Sequence, residues 1–184
     1  VFKGAIDLDP TAGEFLRTGS TTGDNSFITK LDESGQFQWA TTFVAGPDSS
    51  VNVQDIALAS DGSIVAIGRH QGQVTVDAPS NTAGGIPGAV TPRIFFSRLS
   101  SDGQLSQIVS NDWQSSLQMR ITSTGENFFV VANGTSSFVI DEETTIGSPT
   151  GGPFFAFLEL SSNLDVISAT GANGLNVNLH ANSP

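Results

Sequence analysis

The chain has no cysteine and no tyrosine, one methionine, two tryptophans and two histidines among its 184 residues. Without a thiol there is no disulfide framework, thiolate metal site, iron–sulfur cluster or cysteine nucleophile. Cations are scarce as well: seven Lys and Arg stand against eighteen Asp and Glu, a formal net charge of -11. Neutralising phosphates takes clustered positive charge, so this balance argues against nucleic acid and against an anionic membrane surface. No apolar run approaches the about 18 residues of a spanning helix. No charged segment followed by an apolar one opens the chain at Val1. The expectation is that a targeting segment has been removed, or that this is a piece of something longer.

What is present suffices for a core. Hydrophobic residues make up 38% and charged ones 14%, which separates the chain from charge-rich disordered tails. The length is about one domain at ~150 residues per domain. Ser, Thr, Asn, Gln and Gly are abundant and Lys is rare, a composition common among bacterial surface and secreted β-proteins. The expected location is therefore secreted or cell surface. No long stretch places apolar residues at helical spacing. Short β-branched and aromatic runs bounded by Gly, Asn, Asp and Ser recur instead, the pattern of an all-β chain.

These runs repeat. Ser26-Phe27-Ile28-Thr29-Lys30-Leu31-Asp32-Glu33-Ser34-Gly35-Gln36-Phe37 aligns with Ile94-Phe95-Phe96-Ser97-Arg98-Leu99-Ser100-Ser101-Asp102-Gly103-Gln104-Leu105. Leu31 falls on Leu99, Gly35 on Gly103 and Lys30 on Arg98, all at one constant offset. A third copy runs from Phe155 to Val166, with Leu160 in the place of Leu99. Each copy predicts a hairpin: strand, polar turn, strand. A second hairpin alternates with the first, around Ser60-Asp61-Gly62 and again around Thr124-Gly125, with a third trace at Val177–Ala181. In both complete copies a denser apolar run follows the turn, as suits a strand buried on both faces. Short segments also recur at Ile6–Asp9, Val74–Asp77 and Phe138–Asp141.

Four locally connected antiparallel strands per unit predict β-propeller blades, here an incomplete ring, with a β-solenoid as the alternative. The strand order expected within a blade is the Ile56 segment, Ile64–Ile67, Phe95–Leu99 and Leu105–Val109. The divisions are a partial blade over 1–50, blades over 51–110 and 111–170, and the start of another over 171–184. Between blades the sequence predicts Phe27, Leu31, Phe37, Trp39 and Phe43, and a loop over 71–92 carrying the short Val74–Asp77 element. Ile6 matches Val74, and Leu179 matches Leu58, so both ends are expected to fall inside a blade. Open strands at the ends could then be completed by a neighbouring copy.

The pattern Asp7-Leu8-Asp9-Pro10, Phe15, Asn25-Ser26-Phe27-Ile28-Thr29-Lys30-Leu31-Asp32, Gly35 and Trp39-Ala40 resembles the bacterial SBBP-type repeats of seven-bladed β-propellers. Ile56–Gly68 is similar to the next segment of that family and, more loosely, to NHL-type repeats. The resemblance is best over residues 5–77. In the second copy Ile108 stands near the place of Trp39, and in the third Asn163-Leu164 replaces the turn glycine. The resemblance implies a secreted or surface-exposed repeat module of large bacterial proteins and carries no shared catalytic residues.

Few residues invite chemistry. Asp7 and Asp9, two apart on a predicted strand, could share a face and with Glu14 hold a hard cation such as Ca²⁺. A strand end of solvated acids before a Pro turn is the plainer account of them, because hard-cation sites need more ligands. Asp141-Glu142-Glu143 suits a charged edge that discourages pairing, and Asp77 an Asx-type turn. Asn133-Gly134-Thr135 fits a glycosylation sequon but is more simply a turn. His70 and His180 would pair only if their blades met. Trp39 belongs to core packing, whereas Trp113, in a predicted loop, is the candidate ligand or glycan contact. No nucleophile elbow, GxGxxG or P-loop occurs.

The function expected is a non-enzymatic structural or interaction module, working through protein partners or self-association at open strand edges and through loops 78–92 and 144–153. No cofactor beyond a possible Ca²⁺ is called for. The alternatives are a glycan-binding propeller and a Ca²⁺-stabilised adhesin segment.

Overall fold

A computed structural model describes residues 1–80, 82–111, 118–134, 138–139, 145–146 and 152–172. Among them the chain is all β, without a helix. A short hairpin, β1 (Ala5–Asp7) and β2 (Leu16–Thr18), comes first. There follow β3 (Ser26–Leu31), β4 (Phe37–Ala45), β5 (Ser50–Leu58), β6 (Ile64–Gln71), β7 (Val74–Asp77) and β8 (Thr82–Ile86). Next are β9 (Arg93–Leu99), β10 (Leu105–Asn111), β11 (Gln118–Thr124), β12 (Asn127–Gly134), β13 (Phe138–Val139) and β14 (Thr145–Ile146). The last are β15 (Phe154–Leu160) and β16 (Val166–Ala172). They build three four-stranded antiparallel sheets, ordered β3-β4-β7-β8, β5-β6-β9-β10 and β11-β12-β15-β16. The second has the strand order that the sequence predicts.

Equivalent turns close the hairpins. Asp32 N donates to Gln36 O and Gly35 N to Asp32 O; the pairs Ser100/Gln104 and Gly103/Ser100 repeat this, as do Ser161/Asp165 and Leu164/Ser161. Gly35 and Gly103 sit at φ of 78° and 83°, and Leu164 takes φ of 63° in the same place. A non-glycine there costs roughly 1–2 kcal/mol. Leu164 offsets the cost by burying its side chain, 3% exposed, in the core beside the third sheet. The turn therefore survives the loss of its glycine.

The segment expected as a loop differs most. After β6 the chain leaves the second sheet, and β7 pairs with β4 of the first, Phe43 opposite Val76 and Ala45 opposite Val74. β8 then closes the edge. The cause is alternation: Val74 and Val76 point to one face and are buried with Phe43, Trp39 and Ile86. The β7–β8 hairpin thus ties the second sheet's chain to the first. Val74–Asp77 is a full strand, and within 78–92 the segment Thr82–Ile86 is a strand of the first sheet.

The second sheet is covered on both faces. Val65, Ile67, Ile94 and Phe96 enter one core with Met119, Phe128 and Leu158. Ile64, Ala66, Phe95 and Leu99 enter the other with Trp39 and Phe43. That explains the dense apolar runs of β6 and β9. Of the residues expected between sheets, Trp39 and Phe43 lie there. Phe27 points to the opposite face of β3 from Ile28 and meets Phe2 at 6.1 Å, while Phe37 meets Phe15 at 4.8 Å. Leu31 is 41% exposed, beyond the last buried position of β3.

Polar contacts between successive sheets repeat with the sequence. Lys30 Nζ and Trp39 Nε1 both donate to Ser101 O at 3.1 Å, and Thr41 Oγ1 donates to Gly103 O at 2.6 Å. One sheet further on, Arg98 Nη1 donates to Ser162 O and Gln107 Nε2 to Asn163 O at 2.7 Å. Gln107, opposite Arg98 as Trp39 is opposite Lys30, is therefore the structural successor of Trp39, not Ile108. In the third sheet Glu159 stands in the place of Lys30 and Arg98, and it accepts from Asn127 Nδ2 at 2.9 Å. An acceptor cannot repeat a bond to a carbonyl.

Arg98 also holds Ser63 Oγ and Asp61 Oδ2, each at 2.9 Å, with its side chain 19% exposed. Replacing it strips a charged donor from three acceptors, at about 1–3 kcal/mol. Lys30 makes one exposed bond and is worth less than about 1 kcal/mol. Urea unfolding should rank Arg98→Met well below Lys30→Met in stability; equal losses would contradict this division of labour.

Candidate functional site

Among the described residues, the side of β3 away from β4 sets the first sheet apart. In the second sheet, β9 pairs with β10 on one side and with β6 on the other. β3, its equivalent, has β4 on one side and, among the described residues, the isolated bridge Phe2↔Asn25 on the other. Phe2 N donates to Asn25 O at 2.9 Å and Asn25 N to Phe2 O at 3.0 Å. The bridge corresponds to His70↔Arg93, at the offset that carries Leu31 onto Leu99. Val1–Phe2 thus continues the line that β6 follows in the second sheet. Beside it a groove of about 350 Å³ opens between β3 and β5, lined by Val1, Phe27, Ile28, Thr29, Asp55 and Ile56 among others.

Asn25 fixes this end of the edge. Its side chain is fully buried, with Oδ1 accepting from Ser20 N and Ala45 N, each at 3.0 Å. Nδ2 donates to Phe2 O at 3.0 Å and Ser20 O at 2.9 Å. In the sequence Asn25 stands out only within the pattern that resembles SBBP-type repeats. The available signal was its place closing the run Gly19-Ser20-Thr21-Thr22-Gly23-Asp24, whose backbone amides need a local acceptor. Ser26, next along, bridges to the second sheet: its hydroxyl donates to Val51 O at 3.1 Å and accepts from Val53 N at 3.0 Å.

The acids proposed for a cation are occupied with backbone instead. Asp7 Oδ1 accepts from Asp9 N at 3.0 Å and Phe15 N at 2.9 Å. The amides of Phe15 and then Asp9 hold the Asp7 carboxyl below its usual 3.8. Asp9 Oδ1 accepts from Thr11 N at 2.8 Å and Thr11 Oγ1 at 2.6 Å. β1 stops at Asp7, so the shared strand face for Asp7 and Asp9 does not form. Among the described residues no three His, Cys, Asp or Glu side chains gather as a metal site, and Asp7, Asp9 and Glu14 are no exception. They order a loop.

Asp77, expected in a turn, ends β7 and carries an ion pair to Arg17 Nε at 3.1 Å. Asn133 and Gly134 lie in β12 rather than in a turn. Trp113, Asp141–Glu143, His180, the Val177–Ala181 trace and most of loop 144–153 lie outside the described residues.

His70 is a core histidine with both ring nitrogens engaged. It is 2% exposed, with Nδ1 3.0 Å from Gly72 O and Nε2 2.7 Å from Ser110 Oγ. The carbonyl can only accept, so Nδ1 carries the proton and Nε2 accepts from Ser110. Burial pushes its pKa below the usual 6.5; nearby Arg93 acts the same way and the Gly72 carbonyl opposes. The unfolded chain therefore binds the proton more readily than the folded one. Stability from this group is complete above about pH 6.5 and falls as the pH drops from there toward the lowered folded value. Urea midpoints compared at pH 7.5 and 5.5 should show the loss in the wild type and a smaller one in His70→Gln. An equal loss in both proteins would count against it.

Among the described residues no helix is long and apolar enough to cross a membrane. No protein-family model matches the chain, and no curated protein matches it.

Proposed function

We propose that the chain is a non-enzymatic structural and interaction module, a run of β-propeller blades of the SBBP-type kind from a secreted or cell-surface bacterial protein. The observation that carries the blade reading is the side-by-side placement of β5 and β11, the first strands of consecutive sheets. Met119 N donates to Gln54 Oε1 and Ile121 N to Asp55 Oδ2, each at 2.9 Å, and Ser123 Oγ donates to Leu58 O at 2.5 Å. First strands that adjoin, with outer turns bridged by Lys30 and Arg98, suit sheets fanned about an axis beside β5 and β11. Coils stacked along one axis would instead pair their strands from one turn to the next.

The surface assignment is supported by the excess of acids and the scarcity of Lys, which keep a β-rich chain soluble without attracting polyanions. Its partners are proteins, met at strand edges and loops. Treating intact producing cells with a broad protease tests it. Peptides of this module should be released from intact cells or found in the medium. Their recovery only after lysis overturns the assignment.

A further inference from the structure

Seven Lys and Arg face eighteen Asp and Glu, so a cation without a partner is unexpected in this chain. Lys3, Arg17 and Arg98 pair with Asp24, Asp77 and Asp61, and Lys30 and Arg120 donate to carbonyls. Arg69 makes neither kind of contact among the described residues. Its Nε is buried without a hydrogen-bond partner, although the residue as a whole is only partly buried. A guanidinium carries five N–H donors and does not shed its charge by losing a proton. One of those donors is therefore held away from water with nothing to offset the cost.

The same residue lines a cavity of about 210 Å³. β5 and β6 build one wall of it. Their register sets Asn52 opposite Arg69 and Ser50 opposite Gln71, and side-chain alternation puts these four on one face. Two residues back along β6 on that face, Ile67 enters the core with Met119, so the polar patch begins where the packed core stops. The neighbouring groups are already fixed. Gln54 Oε1 accepts from Met119 N at 2.9 Å, Gln71 Nε2 donates to Val90 O at 3.0 Å, and both ring nitrogens of His70 are engaged. A lining held this way around one unsatisfied guanidinium is preorganised for an anion.

Two observations define the anion. Asp24 also lines the cavity, and its contact with Lys3, at 3.5 Å, is half exposed. A doubly charged group such as phosphate is repelled by that carboxylate and by the net charge of -11. A carboxylate brings a single charge and meets the planar guanidinium fork through two parallel hydrogen bonds. The volume lies below the roughly 300–1,000 Å³ of sites for drug-sized ligands, so the cavity takes a small molecule.

We propose that Arg69 anchors a binding site for a small monocarboxylate, in the cavity where β5 begins and β6 ends. Asn52 and Ser50 supply further donors on the same wall. The site goes beyond the interaction reading above, since it uses neither the repeat equivalence nor a location at the cell surface. Either can fail without the other.

The probe is N-acetylglycine, titrated into the intact protein at constant ionic strength and followed by amide NMR spectra. Amides of residues 50–54 and 69–71 should shift saturably in the millimolar range. N-acetylglycinamide, which lacks the charge, should leave them in place. Arg69→Gln should abolish the shifts yet keep or raise the urea midpoint, because it breaks no bond among the described residues. Arg69→Lys keeps the charge without the fork and should weaken binding about tenfold. Arg120→Gln, away from the cavity, should bind as the wild type does. No saturable shift at tens of millimolar probe overturns the proposal, as does equal binding of the amide or of inorganic phosphate. A marked fall in the urea midpoint of Arg69→Gln also overturns it, because Arg69 is then a structural residue.

Discussion

Asn25→Ala lowers the unfolding free energy by about 3 kcal/mol, since each buried donor left unpaired costs about 1–3 kcal/mol. The carbonyls that its amide serves keep other partners: Phe2 O still accepts from Asn25 N, and Ser20 O from Gly4 N. The amides of Ser20 and Ala45 lose their acceptor. Asn25→Asp separates the two halves of the side chain's work. The carboxylate keeps both amides but faces the carbonyls of Phe2 and Ser20 with charge instead of a donor. Protonation restores a donor, so the deficit of Asn25→Asp relative to wild type should shrink as the pH falls. Urea titrations of both variants test this, and a loss under about 1 kcal/mol for the alanine would refute the accounting. Amide exchange at Phe2 should quicken in both.

Phe95→Ala and Phe96→Ala should each cost about 3–5 kcal/mol, the range for truncating a buried phenylalanine. Both side chains are fully buried on neighbouring positions of β9. The pleat sends them to opposite cores: Phe95 meets Phe43 at 5.6 Å, and Phe96 joins the core of Met119 and Leu158. Similar losses should therefore leave different traces. Amide exchange quickens first in β4 and β7 for Phe95→Ala, and in β11 and β12 for Phe96→Ala. Identical exchange maps would mean that the three sheets open as one unit.

The Phe95/Phe96 pair also shows where the sequence is readable. Continuous apolar character in Ile94-Phe95-Phe96 and in Ile64–Ile67 announces strands covered on both faces. The turns are as legible: Gly35, Gly62 and Gly103 stand where positive φ is needed, and the hairpins follow. Leu164 shows the limit, because its sequence gives no hint that burial would hold a leucine in a glycine's conformation. The acids show a similar limit. Asp7 and Asp9 look alike by spacing, yet the Oδ1 of each is bonded within the loop that follows β1, which spacing alone does not show. The β3 strand is half legible: the repeat marks the equivalence with β9, but spacing does not place Phe2 beside Asn25.

Strand positions, turn positions and the alternation of faces are local properties, set within a few residues by the period of two and by backbone φ, and the amino-acid order determines them. Which sheet a strand joins is another matter. Val74–Asp77 follows β6 directly, yet pairs with β4, because Val74 and Val76 find their apolar partners around Phe43 and Trp39. The same holds for Asn25, whose worth depends on amides brought to it from β4 and from the loop before β3. Burial and hydrogen bonding across distant segments decided those partnerships, and only the folded arrangement brings the segments together.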